Sequence, residues 1–571
     1  MTPAEVARLG RTVAHLRPVQ AVHRVRLHAQ LAALRRFPPA ARVLPVPVRP
    51  AAGGWPAGFE PLDAQVPAHR LSLADLAAGK ITLLGLTRDL AGHPGWRHAD
   101  APRLWRFHLH YWDWAWGLAA DPDRAAARAG FARLWRSWQA AAPFAHPDAW
   151  RPYPAALRAW SLCGLHRDLV AGTDLEPEFT AGLAVHAGFL RRHLEYDVGG
   201  NHLIKGLKAV AGLAVFLVDE KLLGRAAGRL ARETARQVLA DGGHYERAPA
   251  YHCQVLADLI DVAGLLRAVG YPPPDAISTA IDGMRRWLGA VLLPGGQVPL
   301  LNDGYPVDRA LVAVLRPGPA PDGPLHVLPA TGLVRVVAGG WHLLADFGPP
   351  CPPSLPAHAH ADTFGCLLSV DRVPLLVDTG TSTYDPGPVR RYERSTAAHS
   401  TVEVDGADST EVWGAFRAGR RARVSELAAE ASRVGMRCEA VHDGFRHLPG
   451  RPRHRRRWTL TSSGLLVEDA VTGRGRHEIV VRWQLAPGWA VRVAGDTAHL
   501  CGPAGAFAAT VTASVPVLLA TTSRPVAAGF GARADAPVLT CRADAPLPAL
   551  ITTTWSRAAD GGARGKVIGS P

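Results

Sequence analysis

Cysteine pairs are what this sequence most plainly lacks. Its seven cysteines, at positions 163, 253, 351, 366, 438, 501 and 541, are scattered, odd in number and never spaced C-x-x-C. That pattern argues against a disulfide framework and against a cysteine-based zinc site. Long apolar runs are missing too: no stretch reaches the roughly 18 charge-free residues that a bilayer span requires, so no transmembrane segment is expected. The first thirty residues, MTPAEVARLGRTVAHLRPVQAVHRVRLHAQ, carry no uninterrupted apolar core and no small-residue cleavage site. No signal peptide is therefore expected, and a cytoplasmic location is. Lysine is scarce, and arginine carries nearly all of a net charge of +15. The guanidinium fork pairs with carboxylate, sulfate and phosphate, so a polyanionic partner fits. A coding bias toward Ala, Gly, Pro and Arg accounts for the same excess. No helix-turn-helix, zinc-finger or aromatic RNA-binding pattern accompanies the charge, and no nucleic-acid partner is expected.

What is present is length and apolar content. At 571 residues, 48% apolar and 20% charged, the chain is globular and too long for one ordinary core. Residues 1–81 read as a basic helical segment followed by a Pro/Ala/Gly-rich extended linker over 46–75. From 82 to 318 the pattern is helical: Arg124–Ala142, Pro154–Ala171, Glu178–Tyr196, His202–Asp219, Gly224–Ala240, Ala248–Val269 and Pro274–Leu293 are helix-length segments joined by short Gly/Pro/Asp turns. Helix after helix with no strand run predicts an α/α array of antiparallel pairs, closed into a ring. The segment Pro317–Pro324 reads as a linker. Residues 325–571 show short apolar or alternating runs, such as Trp341–Phe347, Cys366–Val370 and Ile479–Leu485. These predict an antiparallel β-sandwich domain with long loops, frayed from about Asp560. The fold class is thus α+β, multidomain.

Three places put reactive side chains where a core would not ask for them. The first is Gly199-Gly200-Asn201-His202, just before a helix. The second is the turn Asp241-Gly-Gly-His244-Tyr245-Glu246-Arg247, which leads through Pro249 to Tyr251 and His252. So many titratable groups on one turn are expensive to bury without purpose. The third is His358-Ala-His360-Ala-Asp362, followed by an apolar strand ending in Asp378 and then by His399. If the fold gathers His360, Asp378 and His399, they make a His/His/Asp set suited to zinc, with His358 left over for chemistry. Spacing alone does not separate zinc from an empty polar network.

Taken together, these blocks resemble the heparinase II/III family of polysaccharide lyases. The Leu104-Trp-Arg-Phe-His-Leu-His-Tyr111 and Trp150-Arg-Pro-Tyr-Pro154 segments are similar to the same family's first helices, and the resemblance runs from about residue 85 to at least 490. It implies an incomplete (α/α) toroid followed by an antiparallel β-sandwich domain, with the active site in the cleft between them. It also implies roles. Asn201 and His358 would hold and neutralise a uronate carboxylate, Tyr251 would act as acid and also as base, and His202 as base for one C5 configuration. A zinc ion on His360, Asp378 and His399 would be structural. Glu246, Asn302 and Arg394 are the expected substrate contacts.

The chemistry needs those residue types. A uronate lyase removes the C5 proton, alpha to a carboxylate, and expels the sugar oxygen at C4. Donors that tighten as the carboxylate becomes enolate-like lower the barrier, which suits Asn and His. A tyrosine beside an imidazolium or arginine loses its proton more readily than its reference pKa of about 10 suggests. An acidic polysaccharide is the expected substrate, in breakdown or, with no export signal expected, in exopolysaccharide assembly. Association as a homodimer is left open. Two readings compete: a glycan-binding assembly factor that does not turn over, and an α/α-toroid glycoside hydrolase using Glu246 and Asp303 as its carboxylate pair.

Overall fold

The computed structural model describes all residues except 1, 38–44, 49–52, 68, 91–95, 145, 317, 319–321, 433–434 and 559–571. The expected frayed tail and half of the expected 317–324 linker lie outside the described residues. Helices run from Pro3–Val13 to Arg309–Leu315, and from Leu325–Leu328 onward the chain is built mainly of antiparallel strands.

The helical half follows from amphipathic spacing and strong caps. Asp123 and Asp219 accept the N–H groups of Ala126 and Leu222 at the starts of helices Arg124–Ala141 and Glu220–Gln237. Proline occupies the first turn of Pro152–Leu169 and Pro249–Ala268, where its missing N–H costs nothing. Glu220–Gln237 buries Leu223, Ala226, Ala227, Leu230 and Thr234, the stripe expected of a helix wet on one side. Gly200–Phe216 is buried nearly all round, because it packs against Pro152–Leu169, Glu220–Gln237 and Pro249–Ala268. Its first turn carries Asn201 and His202.

Two expectations need correcting. Residues 80–89 form a short hairpin, Lys80–Leu83 paired with Leu86–Asp89, inside the stretch read as purely helical. The stretch read as an extended linker is anchored instead. Trp55 donates to the Gly212 carbonyl at 2.9 Å, the Leu71 N–H to the Trp114 carbonyl at 2.9 Å, and Phe59, Leu62 and Leu71 are buried. Four large apolar side chains in a Pro-rich segment are enough to seat it.

The C-terminal half contains an eight-stranded sheet, a four-stranded sheet and a five-stranded sheet, all antiparallel where paired. Strand Arg453–Thr461 alternates exposed and buried residues, as expected of a sheet wet on one face. Trp341, Trp458, Trp483 and Trp555 fill the core. Trp287, Val291 and Leu301 of the helical half pack against Leu333, Leu344 and Leu367 of the five-stranded sheet, joining the halves beside the Gly-Gly turn. The N-terminal helices bridge both halves. Arg11 pairs with Glu411 at 2.6 Å and Thr12 accepts from Trp413, while Gln20 donates to the carbonyls of Asp197 and Ser354.

Candidate active site

The site starts from two glycines. Gly199 and Gly200 hold φ of +74° and +56°, and a Cβ on Gly200 would sit 1.8 Å from Glu246 Oε1. Only glycine allows the chain to pass this close to the carboxylate. Asn201 follows at once: its backbone N–H donates to Glu246 Oε1 at 2.9 Å, and Nδ2 donates to Oε1 and Oε2 at 3.2 and 2.9 Å. Glu246 thereby fixes the carboxamide and leaves Asn201 Oδ1 buried without a protein partner.

His358 stands between two buried carboxylates. Its Nδ1 lies 3.0 Å from Asp303 Oδ2 and its Nε2 3.6 Å from Glu246 Oε2. The Tyr251 ring packs on it with centroids 3.9 Å apart, and the Tyr251 hydroxyl meets that of Tyr384 at 2.6 Å. His202, one residue beyond Asn201, bonds through Nδ1 to Glu195 Oε2 at 3.0 Å and lays its ring against Tyr153 at 4.2 Å. Burial opposes charge on His202, but Glu195, Glu246 and Asp197 outweigh it and raise its pKa above the ordinary imidazole value.

Tyr251 departs from the reading that it loses its proton readily. Burial, with Tyr384, Tyr305 and Asp303 around it, holds the phenol well above its ordinary value. It is a neutral phenol, ready to give a proton.

The three residues expected to contact substrate have their polar groups engaged by protein. Glu246 is 2% exposed and holds Asn201. Asn302 donates to the Arg247 carbonyl at 3.0 Å and accepts the His360 N–H at 2.9 Å. Arg394 donates to the carbonyls of Ala359, Trp413, Gly414 and Arg417. They position the loops rather than face the cleft. Asp303 is the hub behind them, 0% exposed, receiving His358, His360, Thr381 and both arms of Arg390. Arg390 holds this carboxyl well below the carboxylate range despite its burial. With Glu246 and Asp303 both sealed in protein, neither flanks an open site, and the hydrolase reading loses its carboxylate pair.

Sequence reasoning passed over Glu195, Tyr384 and Arg390 and considered Asp303 only as a hydrolase acid. The legible signal was Asp303 itself, a carboxylate that follows the apolar run Val298–Leu301 after a single intervening residue, Asn302.

The expected metal ligands lie close, two of them bonded to each other and the third to Asp303. His399 Nδ1 meets Asp378 Oδ2 at 2.9 Å, His360 Nε2 meets Asp303 Oδ1 at 2.9 Å, and the two imidazole rings are 5.3 Å apart. Among the described residues no three His, Cys, Asp or Glu side chains stand ready around one point. Two of the three expected ligands, His360 and His399, together with Asp362, nevertheless fit zinc in kind, whereas Asp378 is held by His399 and the Gly380 N–H. His360 Nδ1, His399 Nε2 and both Asp362 carboxylate oxygens are buried without a partner, which is costly unless something binds them.

Comparison with known proteins supplies the family. Residues 95–316 match the heparinase II/III N-terminus model and residues 320–542 the heparinase II/III-like C-terminal model. The chain belongs to the heparinase II/III-like family. FtsZ-localized protein C of Caulobacter vibrioides is 28% identical over 431 residues, which is 72% of this chain and 70% of that protein. Among solved structures, a heparinase III superposes with a TM-score of 0.71 at 16% identity, over 82% of this chain and 80% of its own. A heparan sulfate lyase from Pedobacter heparinus superposes with a TM-score of 0.59 at 16% identity, over 86% and 83%. At such identities these structures show the fold: the helical toroid followed by the β-sandwich domain of the polysaccharide lyases.

Proposed function

We propose that this heparinase II/III-like protein cleaves a uronate-containing acidic polysaccharide by β-elimination. One observation carries the reading: Asn201, His358 and Tyr251 come from three separate segments and converge over the buried Glu246 and Asp303. Glu246 takes both Nδ2 protons of Asn201, so the free Oδ1 suits a protonated carboxyl, and His358 is the neighbouring group able to supply that proton. A neutralised carboxyl makes the C5–H more acidic than an ionised one. His202, with Nδ1 on Glu195, takes the C5 proton on Nε2. The electron pair forms the C4–C5 double bond, the C4–O4 bond breaks, and Tyr251 protonates the leaving oxygen. The carboxyl gives its proton back to His358, and proton return from the His202 imidazolium to the Tyr251 phenolate through water closes the cycle.

The same reading gives His360, Asp378 and His399 a structural zinc. It would tie together the loops that carry His358, Asp378 and Tyr384, away from the reacting atoms.

The name of the Caulobacter relative describes where that protein is found rather than a reaction. It supports a second reading, a lyase-like glycan-binding factor that does not turn over. Ultraviolet absorbance with a panel of uronate polymers separates the two. A rising signal from an unsaturated uronate, lost in Tyr251→Phe, is expected; binding with no rise on any polymer transfers the site to the second reading.

A further inference from the structure

Beside Tyr251 a row of aromatic rings continues along the cleft. The hairpin formed by Leu518–Gly529 and Ala532–Pro546 turns through Phe530 and Gly531, with Gly531 at φ +78°. Its tip is stitched to the loop after Asp378: Ala527 N–H donates to the Thr379 carbonyl and Gly531 N–H to the Ser382 carbonyl, both at 2.8 Å. Phe530 thereby lies 5.1 Å from Tyr384 and 5.2 Å from Tyr305, and Tyr384 lies 5.5 Å from Phe416. None of these four rings is buried, and Phe416 is 43% exposed. The hairpin brings an aromatic ring to a site whose reacting groups all lie outside it.

Charge beneath the shelf is already spent. Arg390 lies over the rings of Tyr384 and Phe416 at 5.2 and 5.5 Å, with its donors on Asp303, Thr381 and the Ala415 carbonyl. Arg394 of the same helix donates only to backbone carbonyls. The shelf therefore offers ring faces, which stack on the C–H faces of a pyranose and gain nothing from a sulfate.

We infer that Phe530, Tyr384 and Phe416 form a sugar subsite next to the reacting residue, and that it takes an unsulfated pyranose ring. This rests on the uronate-substrate reading above. The test uses calorimetric binding by the full chain carrying Tyr251→Phe, so that no turnover is needed. The probes are heparan and chondroitin tetrasaccharides, each sulfated and chemically desulfated, and an alginate tetrasaccharide. An unsulfated probe is expected to bind, its sulfated counterpart to bind less well, and Phe530→Ala or Phe416→Ala to weaken binding by about three- to tenfold. Both variants alter partly exposed rings, and circular dichroism checks their fold. Tighter binding of a sulfated probe, through the exposed Arg391 or Arg533, overturns the inference. So does affinity unchanged in Phe530→Ala, or no binding of any probe. The lyase reading falls separately, if the wild-type chain binds a probe with this dependence on Phe530 yet never produces the unsaturated product.

Discussion

The hydroxyls of Tyr251 and Tyr384 stand 2.6 Å apart, one on a helix of the toroid and the other on a loop of the sandwich half. The candidate site is therefore complete only when the two halves meet. Tyr251 lies at the start of Pro249–Ala268, whereas Tyr384 is placed by the turn after Asp378. The contact also keeps Tyr251 protonated, since Tyr384 adds to the burial that raises its pKa.

Tyr251→Phe should lower turnover by about 10²–10⁴-fold, the usual worth of a positioned acid. Tyr384→Phe keeps the acid and removes its partner, so its loss should be much smaller. Steady-state rates on the best polymer check the order. Equal losses in the two variants would mean that the Tyr384 hydroxyl itself takes part in the proton transfer.

Glu246 is expected to act through Asn201. Glu246→Gln keeps the volume but turns an acceptor of two Nδ2 bonds into a group that competes as a donor. Displacing a reacting group by about 1 Å costs on the order of 10²-fold, so kcat should fall to that degree while the melting temperature moves little. A collapse of stability with no effect on the rate of the remaining folded protein would leave Glu246 a purely structural carboxylate.

Asp303 is a different case. Arg390 places both arms on it in the buried junction between the halves. Asp303→Ala strands that guanidinium, and breaking a buried pair costs about 3–5 kcal/mol. Denaturant unfolding should show that loss, and Asp303→Asn should recover part of it. Unchanged stability in Asp303→Ala would mean that water replaces the carboxylate.

The pH dependence should come from His202. Its folded pKa is raised, and a base works only when deprotonated, so kcat/KM should climb with pH through a midpoint above about 6.5. Glu195 is the main source of the shift, so Glu195→Gln should move that limb to lower pH. A limb that stays in place in Glu195→Gln would assign it to another group.

Much of this was legible before any coordinates. The helices from Arg124–Ala141 to Asp275–Val291 fall within two residues of their expected starts, except Glu220–Gln237, which begins four residues earlier than expected, because apolar periodicity and Asp, Pro and Gly punctuation agree along most of the stretch. Asn201, Tyr251 and His358 stood out because reactive groups beside paired glycines or within a histidine run have no packing reason to be there. Glu246, Asn302 and Arg394 were expected to be substrate contacts. A sequence shows that a polar group is present, but not which way it faces, and all three turn toward protein. Tyr384 and Phe530 were invisible, since their importance comes from a hairpin tip and a loop meeting across about 150 residues of chain.

Zinc is the remaining expectation to test. His360 Nδ1, His399 Nε2 and both Asp362 oxygens are buried without partners, and each such group costs about 1–3 kcal/mol if left empty. A bound cation held by these free atoms would remove that cost. Metal analysis of purified protein should therefore find about one equivalent of zinc per chain, consistent with one four-coordinate structural site. Stripping it with a chelator should lower the melting temperature, and His399→Ala should lose both the metal and the chelator response. Since the ion is assigned to holding loops rather than to chemistry, partly stripped protein should lose rate only in proportion to the folded fraction lost. Less than about a third of an equivalent, with a chelator-insensitive melting temperature, would leave these side chains an empty polar network.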